Sequence, residues 1–239
     1  MNKVAVDQVL SHGLQQLGLS LSAAQTGQLM AYLDLLQKWG KVYNLTAVRE
    51  PGEMLTHHLL DSLAVVPALQ RYLVEWKARQ DRQVCQEGGV ARPFKVLDVG
   101  SGAGLPGVVL AVTLPEIQVV CVDAVAKKTA FIQQAALALK LTNLKARHAR
   151  VETLTDPFEV VTSRAFASLT DFTQWTRQAL APEGVWMAMK GKRPDDELAA
   201  LDPQQTAVFH VEPLTVPGLD AERCLVWLKP KAGPQLAIT

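Results

Sequence analysis

The stretch Val96–Gly107, VLDVGSGAGLPG, decides the fold. An apolar run carrying one acid, Val96 to Val99, passes directly into Gly100, Gly102 and Gly104 at alternate positions, then Leu105, Pro106 and a fourth glycine, Gly107. An apolar run that ends in glycines reads as a strand entering a tight turn. Glycine loses more conformational freedom on folding than any other residue. Three of them at alternate positions therefore imply that something comes close to that backbone. From Leu105 the pattern turns helical, predicting a helix over 105–114 whose unpaired N–H groups face the same turn.

Downstream, β-rich runs continue to alternate with helical ones. FKVLDV (94–99) is followed by IQVVCVD (117–123), LKARHA (144–149), FEVVTS (158–163), VWMAMKG (185–191), AVFHVEP (207–213) and CLVWLKP (224–230). Further helices are predicted over 126–141 and 168–180. This alternation specifies a doubly wound, mostly parallel seven-stranded sheet with helices on both faces. The last two strands are joined only by LTVPGLDAER (214–223), which has no helical pattern, so they should form an antiparallel hairpin at one edge.

Upstream, the first 70 residues read as helices. Val4 to Leu17 is one, and Gly18 can end it. Ser22 and Gln25 make a capping box for a longer helix, on which Leu29, Leu33, Leu36, Trp39 and Tyr43 share a face. Met54 to Leu69 is a third. Residues 71–93 begin as a charged helix and decay into a loop with Gly88–Gly89 and Pro93. The expected division is a helical N-terminal cap (1–70), an insertion or linker (71–93) and a core (94–239).

At 239 residues, with 49% hydrophobic and 20% charged residues, the chain has the composition of a soluble globular protein. No run approaches the ~18 consecutive apolar residues of a membrane span, and the amphipathic N-terminus is no signal peptide; a cytoplasmic location and a monomer are expected. The three cysteines (Cys85, Cys121, Cys224) have no zinc spacing, so no metal is expected, and Cys121 and Cys224 should be buried thiols. Net charge is +1, with nine basic and eight acidic residues through Arg92 and fifteen of each beyond. No global field announces a nucleic-acid partner. RNA, if bound, must meet a local patch.

In doubly wound sheets, ligands sit at the carboxyl ends of the strands where strand order reverses. A dinucleotide fingerprint, G-x-G-x-x-G, would need a glycine at Leu105, which disfavours a nicotinamide enzyme. The pattern present, D-x-G-x-G-x-G from Asp98, matches motif I of S-adenosylmethionine-dependent methyltransferases, whose Rossmann-like class I fold is the one predicted. Asp123 ends the second strand, where a carboxylate can accept both ribose hydroxyl protons. No (D/N)-P-P-(Y/F) follows the fourth strand and no cysteine follows a proline. Exocyclic amines and pyrimidine C5 are thereby disfavoured as methyl acceptors. Guanine N7 is already nucleophilic and loses no proton, so no general base need be visible and no catalytic residue is assigned.

DVGSGAGLPG, VDAVAKK, ARVE, FEVVTSRAFASL and MKGK, in that order, together with LLQKWGKVYNLTAVRE and HHLLDSL upstream, resemble the glucose-inhibited division protein B family. These are bacterial 16S ribosomal RNA guanine-N7 methyltransferases. The resemblance covers most of residues 25–195. It implies an S-adenosylmethionine-binding core with a helical extension, and a target guanine in the 530 loop of 16S RNA, met within the small subunit or its precursor. It also implies that Gly100 and Leu105 contact the cofactor and that Val151 and Glu152 flank its adenine. Two features depart from the family: an insertion at 72–92, and Ala124 where serine often follows the ribose-binding acid.

Cofactor-binding candidates are therefore Asp98, Gly100, Gly102, Gly104, Leu105, Asp123, Val151, Glu152 and Arg164. Arg164, after the fourth strand, could grip the cofactor carboxylate or an RNA phosphate. Lys127 and Lys128 occupy a helix first turn, where the dipole disfavours cations. With Arg164, Lys190, Lys192 and Arg193 they are the RNA-phosphate candidates. Asn44, His58 and Asp61 could orient the guanine or stitch the cap helices, His58 being assigned to structure, and Trp39 to core. The rival readings are methylation of a small molecule or protein, and a non-catalytic S-adenosylmethionine-binding RNA module.

Overall fold

The computed structural model describes residues 3–43, 50–87, 90 and 92–231. Its seven strands are β1 (Lys95–Val99), β2 (Gln118–Asp123), β3 (Leu144–His148), β4 (Phe158–Arg164), β5 (Leu180–Lys190), β6 (Thr206–Pro213) and β7 (Cys224–Pro230). They form one sheet in the order β3-β2-β1-β4-β5-β7-β6. The first five run parallel, while β7 is antiparallel to both β5 and β6. The doubly wound sheet with an antiparallel edge hairpin is the one the alternation predicts. Strand order reverses between β1 and β4, so the turns after these two strands face one crevice.

Both faces of the sheet are covered, and the strands show it residue by residue. Val96, Cys121, Val160 and Met187 point into the apolar cluster on one side; Leu97, Val122, Val161 and Trp186 point into the other. Alternation with both sides buried is why these strands read as continuous apolar runs. Cys121 and Cys224 are buried, as expected, and Cys85 is exposed.

Helices α1 (Lys3–Gln16) and α2 (Ala23–Tyr43) form the cap with a short helix α3 (Pro51–Met54), a π-helical turn (Leu55–Leu60) and α4 (Asp61–Leu63). The capping box is formed: Gln25 N–H donates to Ser22 Oγ at 3.2 Å, and Ser22 N–H to Gln25 Oε1 at 3.0 Å. The Gln25 amide then donates to the carbonyls of Val112 (2.9 Å) and Thr113 (3.2 Å), which end helix α6 (Gly107–Thr113). One glutamine thus caps two helices at opposite termini. Trp39 packs edge-on against Phe131 of α7 (Ala126–Ala138) at 5.5 Å, and so joins the core.

Several boundaries differ from the sequence reading. α6 starts at Gly107 rather than Leu105, after a cis Leu105–Pro106 peptide. α7 stops at Ala138. α8 (Leu169–Trp175) gives way to a 3₁₀ turn (Arg177–Ala179), and β5 begins at Leu180, five residues before the predicted run. The expected 70/71 boundary falls inside α5 (Val66–Glu87), a continuous helix. Its Tyr72 and Trp76 rings pack on Phe94 at 6.2 and 5.0 Å, and Tyr72 also meets Trp227 of β7 at 5.4 Å. Aromatic burial overrides the charged pattern that suggested a linker. Asn44 and the Gly88–Gly89 pair lie outside the described residues.

Candidate active site

A cleft of about 580 Å³ opens at the carboxyl ends of β1, β4 and β5, walled by the π-helical turn, the glycine loop and the residues around Arg223. That volume suits a small-molecule site, typically about 300–1,000 Å³. The loop's glycines serve different ends. A Cβ on Gly100 would collide with the Phe166 ring, and one on Gly104 with Val108. Gly107 lets α6 lie against Cys121 and Asp98. Only Gly102, at φ +57°, faces open space. The close approach inferred for the loop is thus made by side chains of the protein at Gly100, Gly104 and Gly107, and Gly102 is left open.

Asp123 is 6% exposed. Its Oδ2 accepts from Gly102 N–H at 3.0 Å and its Oδ1 from Val125 N–H at 2.9 Å. Lys128 Nζ lies 3.6 Å from Oδ2. This pairing explains a lysine in the first turn of α7: the cation answers the strand-end acid. Lys127 beside it is exposed. Each Asp123 oxygen retains a lone pair, so the acid anchors the loop and keeps accepting capacity.

Asp98 is completely buried between Cys121 and Thr162 of the neighbouring strands. Its Oδ2 accepts from Gly107 N–H at 2.9 Å, at the start of α6, while Oδ1 is buried with no partner among the described residues. Burial raises its pKa to about 7, against the opposing pull of the Gly107 N–H and the Arg164 charge. An unpaired buried oxygen under a loop with one open glycine fits a ligand carrying a donor or cation. Val151 is 5% exposed at the head of a 3₁₀ turn (Val151–Thr153) following β3, and Glu152 is exposed beside it. Ala149 N–H donates to Asp123 O at 3.3 Å, which ties this turn to the end of β2. Asp98, Asp123, Val151 and Glu152 thus share the carboxyl edge with the cleft, while Gly100, Gly102, Leu105 and Arg164 line it directly.

Arg164, ending β4, donates through Nη1 to His57 O (3.0 Å) and to Asp61 Oδ2 (2.9 Å). Arg223 Nε donates to the other Asp61 oxygen at 2.7 Å. Asp61 and Arg223 join Arg164 in the cleft wall; the sequence leaves Asp61 between orienting the guanine and stitching the cap helices, and does not single out Arg223. His58 also lines it; burial, reinforced by Arg164, lowers its pKa, and both ring nitrogens are buried without a partner among the described residues. Ala165 follows Arg164 at φ +50°, a left-handed conformation stored at the mouth of the site. It turns Phe166 back over Gly100.

The basic patch is not what its spacing suggested. Lys190 Nζ donates to both Glu197 oxygens (3.0 and 2.8 Å) and to Ala167 O (2.9 Å), and its side chain is 16% exposed. It is a strut tying β5 to α9 (Asp195–Ala199). Arg193 pairs with Asp195 at 2.7 Å on the surface, and Lys192 is exposed.

Among the described residues, no three His, Cys, Asp or Glu side chains converge as metal ligands, and no helix is long and apolar enough to cross a membrane.

The family model for rRNA small subunit methyltransferase G matches residues 25–77 and 83–226. The ribosomal RNA small subunit methyltransferase G of Acidovorax ebreus (strain TPSY) is 61% identical over 232 residues, covering 97% of this chain and 99% of that protein. The protein of the same name from a Polaromonas species (strain JS666) is 62% identical over 226 residues, 95% of this chain and 94% of its own. Among solved structures, TrmN from Thermus thermophilus aligns with a TM-score of 0.48 at 21% identity, over 59% of this chain and 45% of that one.

Proposed function

Because the chain belongs to the rRNA small subunit methyltransferase G family, we propose that it transfers a methyl group from S-adenosylmethionine to guanine N7 in the 530 loop of 16S ribosomal RNA. The observation that carries this reading is that the match runs through the cap as well as the core, over residues 25–77 and 83–226. The cap supplies His58 and Asp61, which wall the cleft opposite the glycine loop.

When bound, S-adenosylmethionine supplies an electrophilic methyl group on a sulfonium. Asp123 accepts the ribose hydroxyls, Gly102 lets the ligand reach the backbone, and Asp98 Oδ1 accepts from a cationic group. Gly100, Gly104 and Leu105 shape the loop, and Val151 and Glu152 flank the adenine. Arg164 faces the reacting end. Guanine N7 carries an in-plane lone pair and no proton, so these residues have no base work to do. Their task is alignment and exclusion of water. Lys127, Lys192 and Arg193 are the exposed cations left to meet phosphates, with Lys190 bracing the loop that holds the last two. The protein acts as a monomer in the cytoplasm, on the small subunit or its precursor.

Nucleoside mass analysis of 16S RNA from cells with and without this gene tests the reading. One 7-methylguanosine in the 530 loop should vanish with the gene and return on treating the RNA-containing subunits with the purified protein and S-adenosylmethionine. An unchanged 16S RNA would turn attention to a small-molecule or protein acceptor.

A further inference from the structure

At the cleft two guanidinium groups share one carboxylate, and one of them, Arg223, has no role assigned so far. Asp61 is 4% exposed and its two oxygens meet two different guanidinium groups, Arg164 at 2.9 Å and Arg223 at 2.7 Å. One carboxylate faces two permanent cations, so one positive charge is left over. Of the other charged groups nearby, Lys190 is matched by Glu197 and Lys128 by Asp123, while Asp98, which also feels the Arg164 charge, is buried beneath the glycine loop. His58 does not add to the surplus, since burial and Arg164 favour its neutral form.

The place of that surplus points to its ligand. Arg223 immediately precedes β7, whose first residue, Cys224, is paired with Lys190 at the carboxyl end of β5. Asp123 ends β2, on the other side of the reversal. Four strand spacings separate β2 from β7, about 19 Å at ~4.8 Å each. Arg223 therefore sits across the cleft from the nucleoside-binding acid, on the side left for the methyl acceptor. Its side chain is 24% exposed; Nε is fixed by Asp61, and Nη1 by its neighbour's carbonyl, Glu222 O, at 2.8 Å. A guanidinium pinned along one edge presents its remaining donors in a set direction, which suits a phosphate oxygen.

We propose that Arg223, oriented by Asp61 beside Arg164, is a phosphate-binding residue that holds a backbone phosphodiester of the acceptor RNA at the cleft. Asp61 is its positioning residue. The inference rests on the RNA-methylating function proposed above.

The test uses the full-length protein, wild type and the variants Arg223→Gln and Arg223→Lys, with small ribosomal subunits from a strain lacking the gene. Subunit binding is measured across a KCl series with S-adenosylhomocysteine present, S-adenosylhomocysteine affinity by calorimetry, and methylation separately. Arg223→Gln should weaken subunit binding about tenfold and lower the slope of log Kd against log [KCl] by about 0.7–0.9, the loss of one phosphate contact. S-adenosylhomocysteine affinity should stay within about twofold. Arg223→Lys should keep the wild-type slope with a smaller loss of affinity, and serves as the folded control if the glutamine variant melts early. Loss of S-adenosylhomocysteine affinity with an unchanged slope would place the anion on the cofactor and overturn the proposal. Unchanged slope and affinities would make Arg223 a strut and overturn it equally. If wild type binds subunits without methylating them, the functional reading fails while the slope still decides this one. No wild-type binding overturns both.

Discussion

At Asp98 a single carboxylate is held away from water, and its titration is an observable. Burial raises its pKa to about 7, whereas in the unfolded chain it titrates near 3.9. A raised folded pKa means that stability is fully present below the unfolded pKa and is lost as pH rises through 7. Asp98→Asn keeps an oxygen for the Gly107 N–H and removes the charge. The variant's stability relative to wild type should therefore grow between about pH 4 and 7, by up to about 4 kcal/mol, then level off. Thermal melts of both proteins across that range check this; a constant difference would mean that Asp98 stays ionised throughout. Gly102→Val forces a β-branched residue to φ +57°, at a cost of about 1–2 kcal/mol, and fills the open space beside the loop. Calorimetry should show S-adenosylhomocysteine binding lost with the fold retained. The glycine loop and Asp123 were legible in the sequence because their meaning is local, a backbone pattern and a strand end. Arg223 was not, because nothing near it in the chain marks it, and the pairing of Lys190 with Glu197 was not, because its partner lies on the next helix.

Among the elements, the sheet was the most legible, since seven apolar runs of strand length alternating with helices admit few arrangements. The π-helical turn Leu55–Leu60 left no trace in HHLL, which suits an α-helix equally well. α5 was legible as a charged helix after residue 71, but its docking was not, because its surface charges outnumber the few aromatics, Tyr72 and Trp76, that pack it on the sheet. The contact between α2 and the glycine loop was equally invisible. Tyr32 is fully buried, and its hydroxyl donates to Ala103 O at 2.6 Å. Tyr32→Phe strands a buried carbonyl, which costs about 1–2 kcal/mol, or roughly 2–8 °C in Tm for a chain of this size. Because Ala103 belongs to the loop, S-adenosylhomocysteine affinity should fall as well. A lower Tm with unchanged affinity would show that α2 braces the fold without shaping the loop.

For the molecule as a whole, net charge is +1, and two lysines at the carboxyl edge of the sheet, Lys190 and Lys128, sit against acids of the same chain. Non-specific affinity for RNA comes from phosphate neutralisation, so this protein should hold naked RNA weakly and depend on the folded shape of its target. Methylation of a short 530-loop oligonucleotide, free 16S RNA and assembled subunits should rise in that order or peak on a structured form; equal rates on oligonucleotide and subunit would defeat the shape argument. The arginine–aspartate junction carries one more consequence, which lies in time. Asp61 and Arg223 are 162 residues apart, and β7 must slot between β5 and β6. At about 5–20 residues per second of synthesis, some 8–32 s separate the two side chains' emergence. Once Gly107 has followed Asp61, the nascent chain has its glycine loop but not its second arginine for the rest of that interval. The Asp61–Arg223 junction is thus among the last contacts of the cleft that synthesis makes possible.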